Sequence, residues 1–151
     1  MTARPDNAVK VKKQKEASCR FSLLFFSGRC DEAIAFYRKA LGAEPGMLMR
    51  FKDNPDPSMH PDIDGEKVMH AQIRIGDATV LMSDGRREDQ PGFESFGLSL
   101  TVADEAEAGR MFKALADGGT VRMPLGKTFF SAAFGMVADR FGVLWLVYVA
   151  K

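Results

Sequence analysis

Histidine, cysteine and tryptophan are scarce in this 151-residue chain, with two His, two Cys and one Trp. Histidine at 60 and 70 alone leaves little from which to build a metal centre or a triad. No Ser/His/acid arrangement, pair of catalytic carboxylates or phosphate loop is visible. The cysteines, Cys19 and Cys30, flank the run Phe21 to Phe26. If that run is extended, at about 3.3 Å per residue, they lie too far apart for a disulfide. Free thiols fit a reducing compartment, so a cytoplasmic protein is expected. Nothing nearby would lower a thiol pKa, so both read as structural. No apolar run approaches the ~20 residues of a membrane helix, and the first 20 residues hold no apolar core of a secretory signal. Net charge is only +1, which argues against nucleic acid as a partner.

What is present is ordinary for a globular domain. The hydrophobic fraction is 46%, and the length allows one real core. Charge is uneven: residues 1–20 carry +4 and the remainder −3. Residues 1–20, basic and without hydrophobic periodicity, read as a disordered tail, and 21–151 as a single domain.

That domain says one thing twice. Asp31-Glu32-Ala33-Ile34-Ala35 returns 73 residues later as Asp104-Glu105-Ala106-Glu107-Ala108, and Lys39-Ala40-Leu41 returns after 74 as Lys113-Ala114-Leu115. Each copy lies between two apolar runs, which implies two similar modules packed together, with function in the cleft between them.

Module one (21–84) opens with a strand, Phe21 to Phe26. A helix, Asp31 to Leu41, follows, with Ala33, Tyr37, Ala40 and Leu41 on one face. Acidic residues favour its start and Gly42 its stop. Met47 to Phe51 is a strand. Asp53 to Gly65, with three prolines, is a long loop of the kind that forms lids or binding edges. Lys67 to Ile75 and Thr79 to Ser83 are strands joined by a tight turn. Residues 85–95 form a polar linker. Module two (96–149) repeats the order: strand Phe96 to Val102, helix Asp104 to Ala116, then strands Thr120 to Leu125, Ser131 to Ala138 and Val143 to Val149. Asp139 to Gly142 is the last hairpin turn. The predicted class is α+β, two βαβββ modules curling into a cup or partial barrel. A ferredoxin-like fold has too few strands.

The doubled βαβββ order, the Ala-Phe-Tyr of the first helix and the Asp-x-x-Gly before the last strand resemble the vicinal oxygen chelate superfamily, which includes glyoxalase I, bleomycin-binding proteins and extradiol dioxygenases. Phe25 to Ala33, Val68 to Asp77 and Phe134 to Gly142 are similar to its PhnB-like branch, over about residues 21–149. Such chains are often labelled demethylubiquinone methyltransferases. No glycine-rich cofactor loop follows the first strand here, so a methyltransferase is not expected.

The resemblance implies a divalent metal held by His, Gln and Glu on the first and last strands of each module. Counting from the helices and from Gly142 puts those places near Ser22, Gly97, Trp145 and either Leu81 or Met82, none a good ligand. No metal or other cofactor is therefore expected there. A displaced site using His70, Asp84 or Glu66 is the alternative.

His70 reads either as a strand histidine satisfied by a neighbour or as an acid/base on the cup wall, and is the candidate catalytic residue. Arg50, Arg74 and Arg122 read as outward ion-pair partners or as holders of an anion. Phe25, Met49, Arg74, Met82, Phe130 and Trp145 are the expected ligand-binding residues, and all but Arg74 come from a wider pool of soft and aromatic side chains with Met47 and Phe129. Asp84 reads as a turn residue. The functional expectation is a small-molecule-binding, PhnB-like homodimer with no metal in the usual place. An enzyme of lyase, isomerase or dioxygenase type and a non-catalytic structural dimer are the alternatives.

Overall fold

The computed structural model describes residues 21–56, 62–85, 92–93 and 96–150. The basic tail with Cys19, His60, part of the proline loop and most of the linker lie outside these. The order is β1 (Phe21–Phe25), α1 (Cys30–Leu41), β2 (Glu44–Arg50), a 3₁₀ turn (Phe51–Asp53), β3 (Val68–Ile75), β4 (Ala78–Ser83), β5 (Gly97–Val102), α2 (Glu105–Ala116), β6 (Thr120–Gly126), β7 (Phe134–Ala138) and β8 (Leu144–Val149). This is the paired βαβββ arrangement. Two four-stranded mixed sheets form, ordered β1-β4-β3-β2 and β5-β8-β7-β6. Among the described residues only the pairs β1/β4 and β5/β8 are parallel, and the sheets do not close into a barrel.

Several boundaries shift from the expected ones, and three of the shifts have plain local reasons. β2 begins at Glu44 rather than Met47 because Pro45 sits on an edge strand, where a missing N–H breaks no ladder. Phe51 leaves the strand for the 3₁₀ turn. β7 begins at Phe134 because Ser131 is occupied otherwise: its hydroxyl bonds the carbonyls of Ala133 and Val149 at 2.7 and 2.8 Å.

Each helix buries one face against its own sheet, and the two helices touch. Their buried positions match at the fourth, eighth and eleventh residues: Ala33 with Ala108, Tyr37 with Phe112, Ala40 with Leu115. Each pair is 75 apart, so the 73- and 74-residue sequence repeats are out of step with the three-dimensional one. The reason lies in the caps. Asp104 is the N-cap of α2 and accepts the Glu107 N–H at 2.8 Å. Asp31 lies inside the first turn of α1 and pairs with Arg50 instead. The start of α1 is held from outside, by Asp84. That buried carboxylate accepts the Cys30 N–H at 2.8 Å and the Val68 N–H at 2.7 Å, tying the helix to β3.

Alternate residues of both sheets enter one core. Leu24, Ala71, Ile73, Val80 and Met82 contribute from the first sheet, and Val137, Trp145, Val147 and Val149 from the second. Since side chains alternate along a strand, the other face of each sheet looks away from the helices.

Candidate functional site

Those outward faces are rich in uncovered apolar groups. On the first sheet, Leu23 and Phe25 are 48% and 42% exposed. Leu23 lies beside Leu81, Leu81 beside Gln72, and Met49 beside His70. His70, Gln72 and Arg74 form a polar column along β3, and Arg74 is ion-paired with Glu44. On the second sheet, Phe134 lies beside Tyr148, and Met136 lies between Met123 and Leu146. Phe130 packs on Phe134 and stacks on Tyr148, with Phe129 against it.

The expected ligand-binding residues are thereby split. Phe25, Met49 and Arg74 share the outward face of the first sheet with His70, and Phe130 joins the aromatic group of the second. Met82 and Trp145 are on the other side: they are buried in the core. The Trp145 indole N–H donates to Asp139 at 2.9 Å, and its ring meets Tyr37 edge-on. A single chain therefore offers no one cleft lined by all six. Arg50 is taken up structurally, since it clasps Asp31 with two bonds of 2.9 Å and donates to the Glu66 carbonyl at 2.6 Å. That clasp holds the Asp31 carboxyl below its usual range. Arg122 is exposed on β6.

Asp139 is the polar residue that sequence reading undervalued. It lies in the β7–β8 turn, buried, with every acceptor position used. One oxygen accepts the Tyr37 hydroxyl at 2.6 Å and the Trp145 N–H. The other accepts the backbone N–H groups of Phe141 and Val143 at 2.9 and 3.1 Å. Burial first, then the Asp139 charge, push the Tyr37 phenol up. Asp139 thus bolts α1 of one module to the last hairpin of the other. The Asp-x-x-Gly spacing was its only signal in the sequence. Burial also pushes the Cys30 thiol up, so it stays protonated and inert.

A family model for the Glyoxalase/Bleomycin resistance protein/Dioxygenase superfamily matches residues 21–147. The chain belongs to this superfamily. Protein YjdN of Escherichia coli is 32% identical over 139 residues, covering 85% of this chain and 92% of that one. The crystal structure of protein PA1353 from Pseudomonas aeruginosa has a TM-score of 0.76 and 40% identity, covering 88% of this chain and 98% of that one. A Bacillus cereus PhnB protein, described as a putative 3-demethylubiquinone-9 3-methyltransferase, has a TM-score of 0.70 and 26% identity, covering 89% of this chain and all of that one.

The metal implied by the family finds no suitable donors at the places counted for it. Leu81 and Gly97 are on outward faces, while Met82 and Trp145 point into the core and Ser22 lies beside core-facing Val80. The four places do not converge on one side. Their outward neighbours on the first and last strands are Leu23, Phe25, Thr79, Ser83, Ser99, Thr101, Leu144, Leu146 and Tyr148, without an imidazole or carboxylate among them. A hard or borderline divalent ion is held by imidazole or carboxylate donors, and the neutral hydroxyls present here are poor substitutes.

Proposed function

We propose that this protein binds a small molecule as a cytoplasmic homodimer, between the outward faces of its sheets and without a metal in the family's usual place. The observation that carries this reading is the pair of uncovered faces. Leu23, Phe25, Met123 and Phe130 are all 39–48% exposed, and Phe129 89%. A monomer has little reason to leave such surface in water. A second copy can turn each face into a wall of a shared cup. Phe25, Met49, His70 and Arg74 then form one side, with Phe130 and its aromatic neighbours opposite. The soft walls would take an apolar body, and His70, Gln72 and Arg74 would orient its polar end. The free, buried Cys30 suits a reducing compartment.

The test combines metal content per chain, by elemental analysis of protein purified without chelators, with molar mass in solution across a concentration series. The expected result is a dimer with metal far below one per chain, unchanged after incubation with Zn, Ni, Mn or Fe(II). Near-stoichiometric metal would overturn the metal-free reading and favour an enzyme. A monomer at all concentrations would overturn the shared cup. A small-molecule panel then follows, read by thermal stabilisation. A ligand at 100 times its Kd adds about 2.7 kcal/mol.

A further inference from the structure

A second place suits a ligand, on the helix side of the sheets, away from the outward faces. A cavity of about 770 Å³ lies between the modules, bounded by β5, the start of α2 and the β3–β4 turn. Its size is that of a small-molecule pocket. Leu41, Val80, Leu98, Leu100 and Met111 make its walls apolar, and Trp145 reaches it from the core. Among the described residues, Asp77 and Glu107 are its only charged lining residues.

The internal repeat explains why this space is open. The corresponding place at the other end joins the end of β1, the start of α1 and the β7–β8 turn. There the space is full. Phe141, from the turn, packs against Phe26, Phe36 and Tyr37 with centroids 5.6–6.1 Å apart. The Arg29 guanidinium lies 4.6 Å above the Phe141 ring and is ion-paired with Glu32. At the 75-residue spacing, Phe36 corresponds to Met111, Glu32 to Glu107 and Arg29 to Asp104. The β7–β8 turn has five residues, 139–143, and can fold a ring inward. The β3–β4 turn has two, Gly76 and Asp77, and supplies none. The open end thus keeps the acid of the closed end and lacks the ring, and the cation beside its acid is not seated on a ring: the exposed Arg110 reaches Glu107 from the next turn of α2 in a long ion pair of 3.9 Å.

We infer that this cavity binds an aromatic ammonium compound, whose ring takes the place of Phe141 and whose charge takes that of Arg29, opposite Glu107 and Asp77. Aromatic burial would supply most of the affinity. The carboxylates would select cation over anion.

Trp145 is the sole tryptophan, so its emission reports on the cavity directly. The full-length protein is titrated with 2-phenylethylammonium, and in parallel with neutral 2-phenylethanol and with 3-phenylpropanoate. The expected result is saturable binding of the ammonium, about three- to fivefold weaker binding of the alcohol, as befits a half-exposed charge pair, and weaker binding still of the anion. Glu107→Gln should bring the ammonium down to the level of the alcohol. Met111→Phe, which rebuilds the ring of the closed end, should block all three. No saturable binding by the wild type, equal binding of the ammonium and the alcohol, or unaltered binding by folded Met111→Phe would each overturn the inference. If Met111→Phe does not fold, Glu107→Gln and the neutral probe still decide. None of these outcomes depends on metal content or on dimerisation, so this inference and the shared-cup reading fail separately.

Discussion

At one end of the seam between the modules, Phe26, Phe36, Tyr37, Phe93 and Phe141 close on one another. At the other, Val102, Met111 and the two-residue β3–β4 turn leave about 770 Å³ unfilled. Both ends are made by equivalent parts of a repeated module. The difference is three residues of turn length and what they carry. A turn of five residues can hold a buried carboxylate and turn a ring into the core. A turn of two cannot. Duplication therefore leaves one end free to be stability and the other free to be a site.

The largest effect that separates the ends is expected at Asp139. Asp139→Ala removes the acceptor for the Tyr37 hydroxyl, the Trp145 N–H and two backbone N–H groups. A loss of about 3–4 kcal/mol is expected, because buried donors left unpaired are costly. Asp77→Ala, in the exposed turn at the open end, should stay within about 0.5 kcal/mol. Urea unfolding of both variants checks this, with unchanged slopes showing that stability alone moved. Equal losses would break the comparison.

Next comes the ring itself. Phe141→Ala takes away the packing partner of three aromatic residues and the seat of the Arg29 cation. Because Phe141 is only partly buried, about 2–3 kcal/mol is expected rather than the full cost of a core phenylalanine. Exchanging residues between the ends sharpens the contrast. Phe36→Met should cost about 1 kcal/mol, through loss of contacts to Tyr37, Phe141 and Arg140. Met111→Phe should cost nothing or stabilise by up to about 1 kcal/mol, since the space exists already. If Met111→Phe destabilises as much as Phe36→Met, the open end is not a gap that a ring can fill.

Much of this was legible in the chain. The βαβββ order, the buried face of α1 and the turns after β3 and β7 follow from periodicity and from glycine and acidic residues at the expected places. Local chemistry sets those features. The facing of Met82 and Trp145 was not legible. A strand shows its alternation in sequence but not which set of alternates meets the helix, and here both sets are apolar: Leu23, Phe25 and Leu81 outward, Leu24, Val80 and Met82 inward. Nor could spacing reveal Asp139 as a tertiary bolt, because its partners Tyr37 and Trp145 lie 102 and 6 residues away. The true 75-residue repeat was hidden by the acidic residues that start both helices from different positions.

The smallest effect concerns those two starts. The start of α2 is capped locally by Asp104, whereas module one ties its helix to β2 through Asp31 and Arg50. The Arg50 bond, and less so its charge, lowers the Asp31 pKa on folding. A carboxyl group depressed in the folded state contributes stability above its unfolded pKa and loses it as pH falls through the folded one. The contribution should therefore be present at pH 7, begin to fade near pH 4 and be gone at lower pH. Asp31 is more than half exposed, so water screens the pair and less than about 1 kcal/mol is at stake. Asp31→Asn should lower the melting temperature slightly at pH 7, and its curve should converge on that of the wild type as pH falls below the usual carboxylate range. The ion pair of Glu32 with Arg29 shifts in the same direction and remains in both proteins, so it cancels in the difference. A gap that persists undiminished as pH falls well below that range would mean that Asp31 acts through its place in the first turn of α1 rather than through Arg50. The two helix starts would then be more alike than their hydrogen bonds suggest.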